Sequence, residues 1–167
     1  MSAFGGIADI TAIQNTHRRP SLIGLNAMGT VPLTVEQLQR DLSRSAFINF
    51  LGLEVIEADP SKQEVSMRMV MRPEFERYPD SGQWHGGPIA AAIDTVGDYA
   101  LAMMLGRPLP TVNFRVDYLK PAIKTSLTIV GRVRRSGKSV GVVDVDVFND
   151  GNSLVALGRA TYSTLPA

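Results

Sequence analysis

Apolar residues change their period along this chain, and each change marks an element. Val35, Leu38, Leu42 and Ala46 recur at helical spacing behind Thr34, a helix-capping residue type, and Gly52 follows shortly after; a short helix is predicted there. From Gly52 the period shortens. Leu53, Val55 and Ile56 lead into the turn signal Asp59-Pro60-Ser61, after which Val65, Met67, Met69 and Met71 alternate with Glu64, Ser66 and Arg68. That pattern predicts a half-buried hairpin with its second strand over 64–71. Alternation then gives way to a run of Ala, Ile, Val, Leu and Met over 88–105, a helix of roughly 27 Å at 1.5 Å per residue. Gly106-Arg107-Pro108 breaks it, and four strand-like segments follow at 111–120, 126–135, 139–149 and 153–164. Lys120-Pro121-Ala122, Arg135-Ser136-Gly137-Lys138 and Asn149-Asp150-Gly151-Asn152 supply the turns between them. The order is helix, two strands, long helix, four strands, an α+β arrangement that suggests an antiparallel sheet curled around the long helix. The start of the chain has no sustained period and is punctuated by Gly5-Gly6, Arg18-Arg19-Pro20 and Gly29-Thr30; residues 1–33 are expected to be an N-terminal extension to a domain over 34–167.

On a helical wheel, Ile89, Ile93, Val96, Ala100 and Met103 share one face of the long helix, while Ala90, Asp94, Asp98, Leu101 and Leu105 form a second, mostly apolar stripe. A helix apolar nearly all round is a buried helix. A carboxylate on it costs several kcal/mol unless it is bonded, paired or protonated. Asp94 is therefore a functional candidate, with two structural alternatives: a bond to a neighbouring hydroxyl that serves packing, or a wet helix edge. Asp98, one turn on, either raises the pKa of Asp94 by like-charge proximity or meets a polar partner of its own. The helix opens with His85-Gly86-Gly87-Pro88. Two glycines allow close approach to the backbone, proline suits the first helical position, and the leading N–H groups lack intrahelical partners, so this start can receive an anion or oxyanion. A histidine beside two glycines is more often a cap or core residue than a catalyst.

Composition narrows the class. The chain has 167 residues, 44% of them hydrophobic, enough for one domain with a real core. Its net charge of +1 gives no broad footprint for nucleic acid, and the absence of cysteine excludes disulfides and a thiolate nucleophile. Two histidines, His17 and His85, are too scattered for a typical metal site. The first twenty residues lack the pattern of a secretory signal, and no uncharged apolar run approaches a membrane span, so a soluble, cytoplasmic protein is expected.

His85-Gly86-Gly87, Asp94 nine positions after the histidine, and the run Asn113-Phe114-Arg115-Val116-Asp117-Tyr118-Leu119-Lys120-Pro121-Ala122 closely resemble the hotdog-fold acyl-CoA thioesterases of the phenylacetate-degradation (PaaI-like) group. Gly131-Arg132-Val133 leading to Gly137-Lys138, and the final Gly158-Arg159-Ala160-Thr161-Tyr162, extend the likeness over 34–162. The resemblance implies a hotdog fold, hydrolysis of acyl-CoA to free acid and CoA, and no cofactor or metal. It implies that Asp94 is general base or nucleophile, that the Gly86 N–H polarises the thioester carbonyl, and that the Thr111 hydroxyl orients water or substrate. His85 and Gly87 would complete the substrate-binding rim. Arg134, Arg135, Gly137 and Lys138, with Arg132 nearby, would meet the phosphates of coenzyme A, the alternative being a solvated basic hairpin. Trp84, Tyr99, Met103 and Met104 either line an acyl pocket or fill the core. Asp144 and Asp146 alternate with Val143, Val145 and Val147 and are expected on the solvent face. One position departs from the family: where many relatives carry an asparagine that positions water, this chain has Pro79, leaving Asp80, Ser81, Gln83 or a water to substitute. That departure favours the alternative of a noncatalytic acyl-CoA-binding hotdog module; a hotdog dehydratase is a third reading that the spacing suits less well.

Spacing adds a constraint of its own. Gly86 and Asp94 lie eight residues apart, roughly 12 Å along one helix, and side-chain tilt recovers only about 2 to 3 Å. Both cannot reach one carbonyl from the same chain. If both act, the site is shared, the active unit is a homodimer, and the stripe around Asp94 and Leu101 is part of its interface. In the family such dimers often pair into tetramers.

Overall fold

A computed structural model describes residues 31–166. Helix α1 (Val35–Leu42) and helix α2 (Ala46–Leu51) stand where one short helix was expected. Thr34 caps α1 in a full capping box with Gln37. The break between the two helices is local chemistry: the Ser43 hydroxyl donates back to the Arg40 carbonyl, and Ser45 accepts from the Ile48 N–H to start a new helix. Gly52, left-handed at φ 65, ends α2. Strands β1 (Glu54–Asp59) and β2 (Glu64–Met69) form the expected hairpin, with β2 ending before the proline of a short 3₁₀ turn at Pro73–Phe75. Arg72 lies over the rings of Phe50 and Phe75, at 4.8 and 4.4 Å, and so ties α2 to the segment that leads into the long helix. Most of the expected extension, residues 1–30, lies outside the described residues; Leu33 donates its N–H to the Met103 carbonyl and packs on the core.

Helix α3 (Gly86–Leu105) starts two residues earlier than expected, which puts Pro88 third rather than first. The cause is His85, whose Nδ1 accepts the Gly87 N–H at 2.9 Å and caps the helix. Strands β3 (Thr111–Tyr118), β4 (Leu127–Ser136), β5 (Val140–Asn149) and β6 (Leu154–Ser163) follow. All pair antiparallel in one six-stranded sheet of order β1-β2-β4-β5-β6-β3, which curls around α3. By length and composition α3 could cross a membrane, but more than half of it is buried against the sheet. Ile89, Ile93, Val96, Ala100 and Met103, the predicted face, are all at most 5% exposed.

Two glycines explain how closely helix and sheet approach. Gly131 and Gly158 flank Val145 in one cross-strand row. A methyl group on Gly131 would meet the Val96 carbonyl at 2.9 Å, and one on Gly158 would meet Ile93 at 2.5 Å. On the helix side, Gly97 makes room for the fully buried Tyr162, whose hydroxyl donates to the Asp94 carbonyl at 2.7 Å. Burial pushes the Tyr162 phenol well up, so it remains a donor. A Cβ on Gly97 would sit 2.2 Å from that hydroxyl but 3.2 Å from the ring carbon bearing it. Gly97→Ala is thus expected to destabilise by about 1–3 kcal/mol. Adding Tyr162→Phe, which deletes the obstructing oxygen, should recover part of the loss in denaturant melts, a coupling between neighbours that independent sites do not show.

Candidate active site

Asp94 sits midway along α3, half-buried on the floor of a cavity of about 500 Å³. Phe47 and Ile48 of α2 line one side, Ala90 and Ala91 the floor, and Thr111 and Phe114 of β3 the other side. The Thr111 hydroxyl donates to Asp94 Oδ1 at 2.9 Å. Asp94 and Thr111 are 17 positions apart in sequence and meet because β3 returns beside the middle of the helix. Thr111 pairs with Tyr162 and Asn113 with Thr161, so the strand carries an extra residue at Val112; such a bulge re-aims the side chains beside it. Burial pushes the Asp94 carboxyl above the ordinary carboxylate range, and the Thr111 hydroxyl pulls it partly back.

Asp98 lines the same cavity and has the polar partner that was one of its two readings: its Oδ1 accepts the Leu109 N–H at 2.8 Å. Its carboxyl is pushed up to about 7, chiefly by burial and further by the charge of Asp94, while the Leu109 N–H and Arg107 pull the other way. An unfolded aspartate ionises near 3.9, so between roughly pH 4 and 7 the folded chain binds the extra proton and loses stability as pH rises. Holding Asp98 ionised above that window costs on the order of 4 kcal/mol. Asp98→Asn keeps an acceptor for Leu109 and removes the charge. Its melting temperature should therefore exceed that of the parent at pH 8 and converge on it near pH 4.

The helix start borders a different cavity, of about 470 Å³, lined among others by Arg77, Trp84, His85, Gly86, Tyr118 and Lys120. Gly86, as the first helical residue, has an N–H without a partner inside the helix. Its carbonyl, in the next peptide unit, accepts the Tyr118 hydroxyl at 2.7 Å, and the N–H of that unit, from Gly87, is held by His85. Gly87, with its N–H taken by His85, lines the Asp94 cavity. Within one chain Asp94 and Gly86 thus belong to separate cavities.

The basic hairpin stands apart from both. Arg134 pairs with Asp144 at 2.7 Å, and Asp144 also takes Arg159 at 2.6 Å; Arg132 is held between Glu64 and Asp146, each at 2.6 Å. These pairs place Asp144 and Asp146, half-buried, on the sheet face away from α3. Arg135 and Lys138 are exposed, and Gly137 closes the turn with its N–H on the Val140 carbonyl. None of Arg134, Arg135, Gly137 or Lys138 lines the cavity of Asp94 or that of Gly86. Tyr99 and Met103 fill the core, Met104 packs against it, and Trp84 is buried while bordering the Gly86 cavity, with its indole N–H on the Thr125 carbonyl. Pro79 is exposed in a turn, and Gln83 borders the Gly86 cavity. Sequence reasoning assigned no role to Tyr118 or Tyr162, whose hydroxyls brace the backbones of Gly86 and Asp94 across 32 and 68 positions; no local pattern announces contacts so distant. Among the described residues no cluster of His, Cys, Asp and Glu is suited to a metal ion.

The chain is similar in sequence and fold to known proteins. The profile of the Thioesterase superfamily matches residues 81–156. A crystal structure from the thioesterase superfamily is 35% identical, covering 77% of this chain and 96% of that one with a TM-score of 0.72. The E. coli PaaI protein, from the phenylacetic acid degradation operon, shares the fold at a TM-score of 0.70 and 23% identity, over 83% of this chain and 98% of its own. The medium/long-chain acyl-CoA thioesterase YigI of Escherichia coli K12 is 30% identical over 102 residues, which is 48% of this chain and 65% of YigI.

Proposed function

The chain belongs to the Thioesterase superfamily, hydrolases of hotdog fold, and on that premise we propose that it hydrolyses acyl-CoA thioesters at a site shared by two subunits. Asp94 of one subunit takes a proton from water, whose oxygen attacks the thioester carbon; the Gly86 N–H of the other subunit receives the developing oxyanion. Collapse expels the CoA thiolate. Its conjugate acid has a pKa near 8.5, so it leaves without a general acid. Direct attack by Asp94 through a mixed anhydride uses the same atoms. Thr111 holds the carboxylate in place, and His85 and Gly87 shape the rim.

The observation that carries this reading is the placement of β3. It is an edge strand with Thr111, at its first residue, against Asp94 and Tyr118, at its last, against Gly86. Its residues Val112, Phe114 and Tyr118 are 61%, 42% and 54% exposed, an unprotected apolar edge. A two-fold axis normal to the sheet pairs this strand antiparallel with its copy, which brings the Asp94 end of one subunit to the Gly86 end of the other. The homodimer is thereby the active unit, and the 12 Å separation along one helix ceases to be an obstacle.

Hybrid dimers test it. Subunits carrying Asp94→Asn, co-expressed with differently tagged subunits lacking the Gly86 donor, form dimers with one doubly damaged and one intact site. Such hybrids should regain about half of the parent's thiol release from decanoyl- or phenylacetyl-CoA, while each homodimer is inactive. Hybrids no more active than the homodimers would sink the shared site. Pro79, which offers no side chain to a water, favours the second reading, a module that binds acyl-CoA without cleaving it; binding by the parent without thiol release over short, medium, long and aromatic acyl chains would decide for it.

A further inference from the structure

Both carboxylates of α3 grip the segment that leads into β3, and only one of them has a part in the chemistry above. Asp94 takes the Thr111 hydroxyl at 2.9 Å, and Asp98, one helical turn on, takes the Leu109 N–H at 2.8 Å. The two anchors are two residues apart. Between and around them the backbone has little freedom: Pro108 and Pro110 flank Leu109, Leu109 itself is 5% exposed, and the Pro110 carbonyl accepts the Ser163 N–H at 2.9 Å. Arg107 donates to the carbonyls of Thr164 and Leu165, at 2.9 and 2.7 Å, and acts on Asp98 through its charge alone. Asp98 makes no salt bridge among the described residues, and it accepts from the backbone of the segment that delivers Thr111.

We propose that Asp98 is a positioning residue for thioester hydrolysis: by holding Leu109 it sets Thr111 at the height on α3 where its hydroxyl meets Asp94. The inference rests on the reading of Asp94 as the base. A buried carboxylate near another is expensive, and a cavity wall needs no such group. An acceptor at this depth holds a stiff segment two residues short of the reacting pair, where a displacement of an ångström disorders the dyad.

Three substitutions separate position from charge. Asp98→Asn retains the acceptor and loses the charge; Asp98→Glu retains the charge and moves the acceptor; Asp98→Ala loses both. With an acyl-CoA that the parent turns over, Asp98→Ala and Asp98→Glu should lower kcat about tenfold with KM within about twofold, while Asp98→Asn stays within about threefold of the parent. In a Thr111→Val background, Asp98→Ala should have little further effect, because the group it positions is gone. If Asp98→Ala does not fold, the Glu and Asn pair carries the same contrast. Asn falling as far as Glu, or Asp98→Ala costing the same factor with and without the Thr111 hydroxyl, overturns the proposal. Asp94→Asn in the same assay separates the two levels: if it retains parental kcat the reading of the base fails, whereas if it collapses and Asp98→Glu matches the parent, only the role of Asp98 does.

Discussion

Asp94→Asn is expected to lower kcat for thioester hydrolysis by about 10²–10⁴ while leaving the fold intact. The asparagine has the same shape, its Oδ1 still accepts the Thr111 hydroxyl, and the backbone carbonyl at this position keeps its bond from Tyr162. What it cannot do is take a proton. In the parent, kcat/KM should fall on the acid side as the carboxylate protonates. Because burial raises Asp94, that limb is centred above the ordinary carboxylate range. Residual activity in the variant should lack it. Thiol release followed from pH 4 to 9 for both proteins, with melting curves as the control for folding, reads both effects. Undiminished turnover in the variant would remove Asp94 from the chemistry and leave its bond to Thr111 as a packing device.

Gly86→Pro should cost about 10²–10³ in kcat by replacing the N–H donor with a ring carbon. The position permits the test because Gly86 is the first residue of α3, where proline is well accepted and the missing N–H breaks no intrahelical bond. His85 before it is extended at ψ 144, the conformation a following proline requires. Proline also adds a Cβ, which would lie 3.0 Å from the Tyr118 ring and hydroxyl. Gly86→Ala carries the same Cβ and keeps the N–H, so it is the matched control and should stay within about tenfold of the parent. Equal losses in the two variants would assign the effect to Tyr118 and not to an oxyanion donor.

Much of the architecture was legible because it rests on local periodicity. Alternating Val and Met in β2, the apolar run of α3 and the turn residues between β4, β5 and β6 specify element type wherever they are placed. The boundaries moved where a side chain intervened. His85 capped α3 two residues early, and the Ser43 and Ser45 hydroxyls divided the first helix in two. Asp94 stood out because a charge on an apolar helix demands an explanation, and Gly86 because of its place at a helix start. The partners of these residues were not legible. Tyr162, Tyr118 and Leu109 reach Asp94, Gly86 and Asp98 through strand register and the bulge at Val112, and register is a property of paired strands rather than of any one segment.

From its order of residues alone the chain determined a long apolar helix between two sets of strands, two acids on that helix that demand an explanation, and a helix start built to receive negative charge. Folding decided which hydroxyl meets the acid, that Arg132 and Arg134 of the basic hairpin are held in ion pairs on the far face of the sheet while Arg135 and Lys138 stay exposed, and that acid and helix start line separate cavities. The division has a physical cause. Helical and strand periods are written in neighbouring side chains, whereas the edge position of β3, which carries Thr111 at one end and Tyr118 at the other, exists only once six strands have paired around the helix.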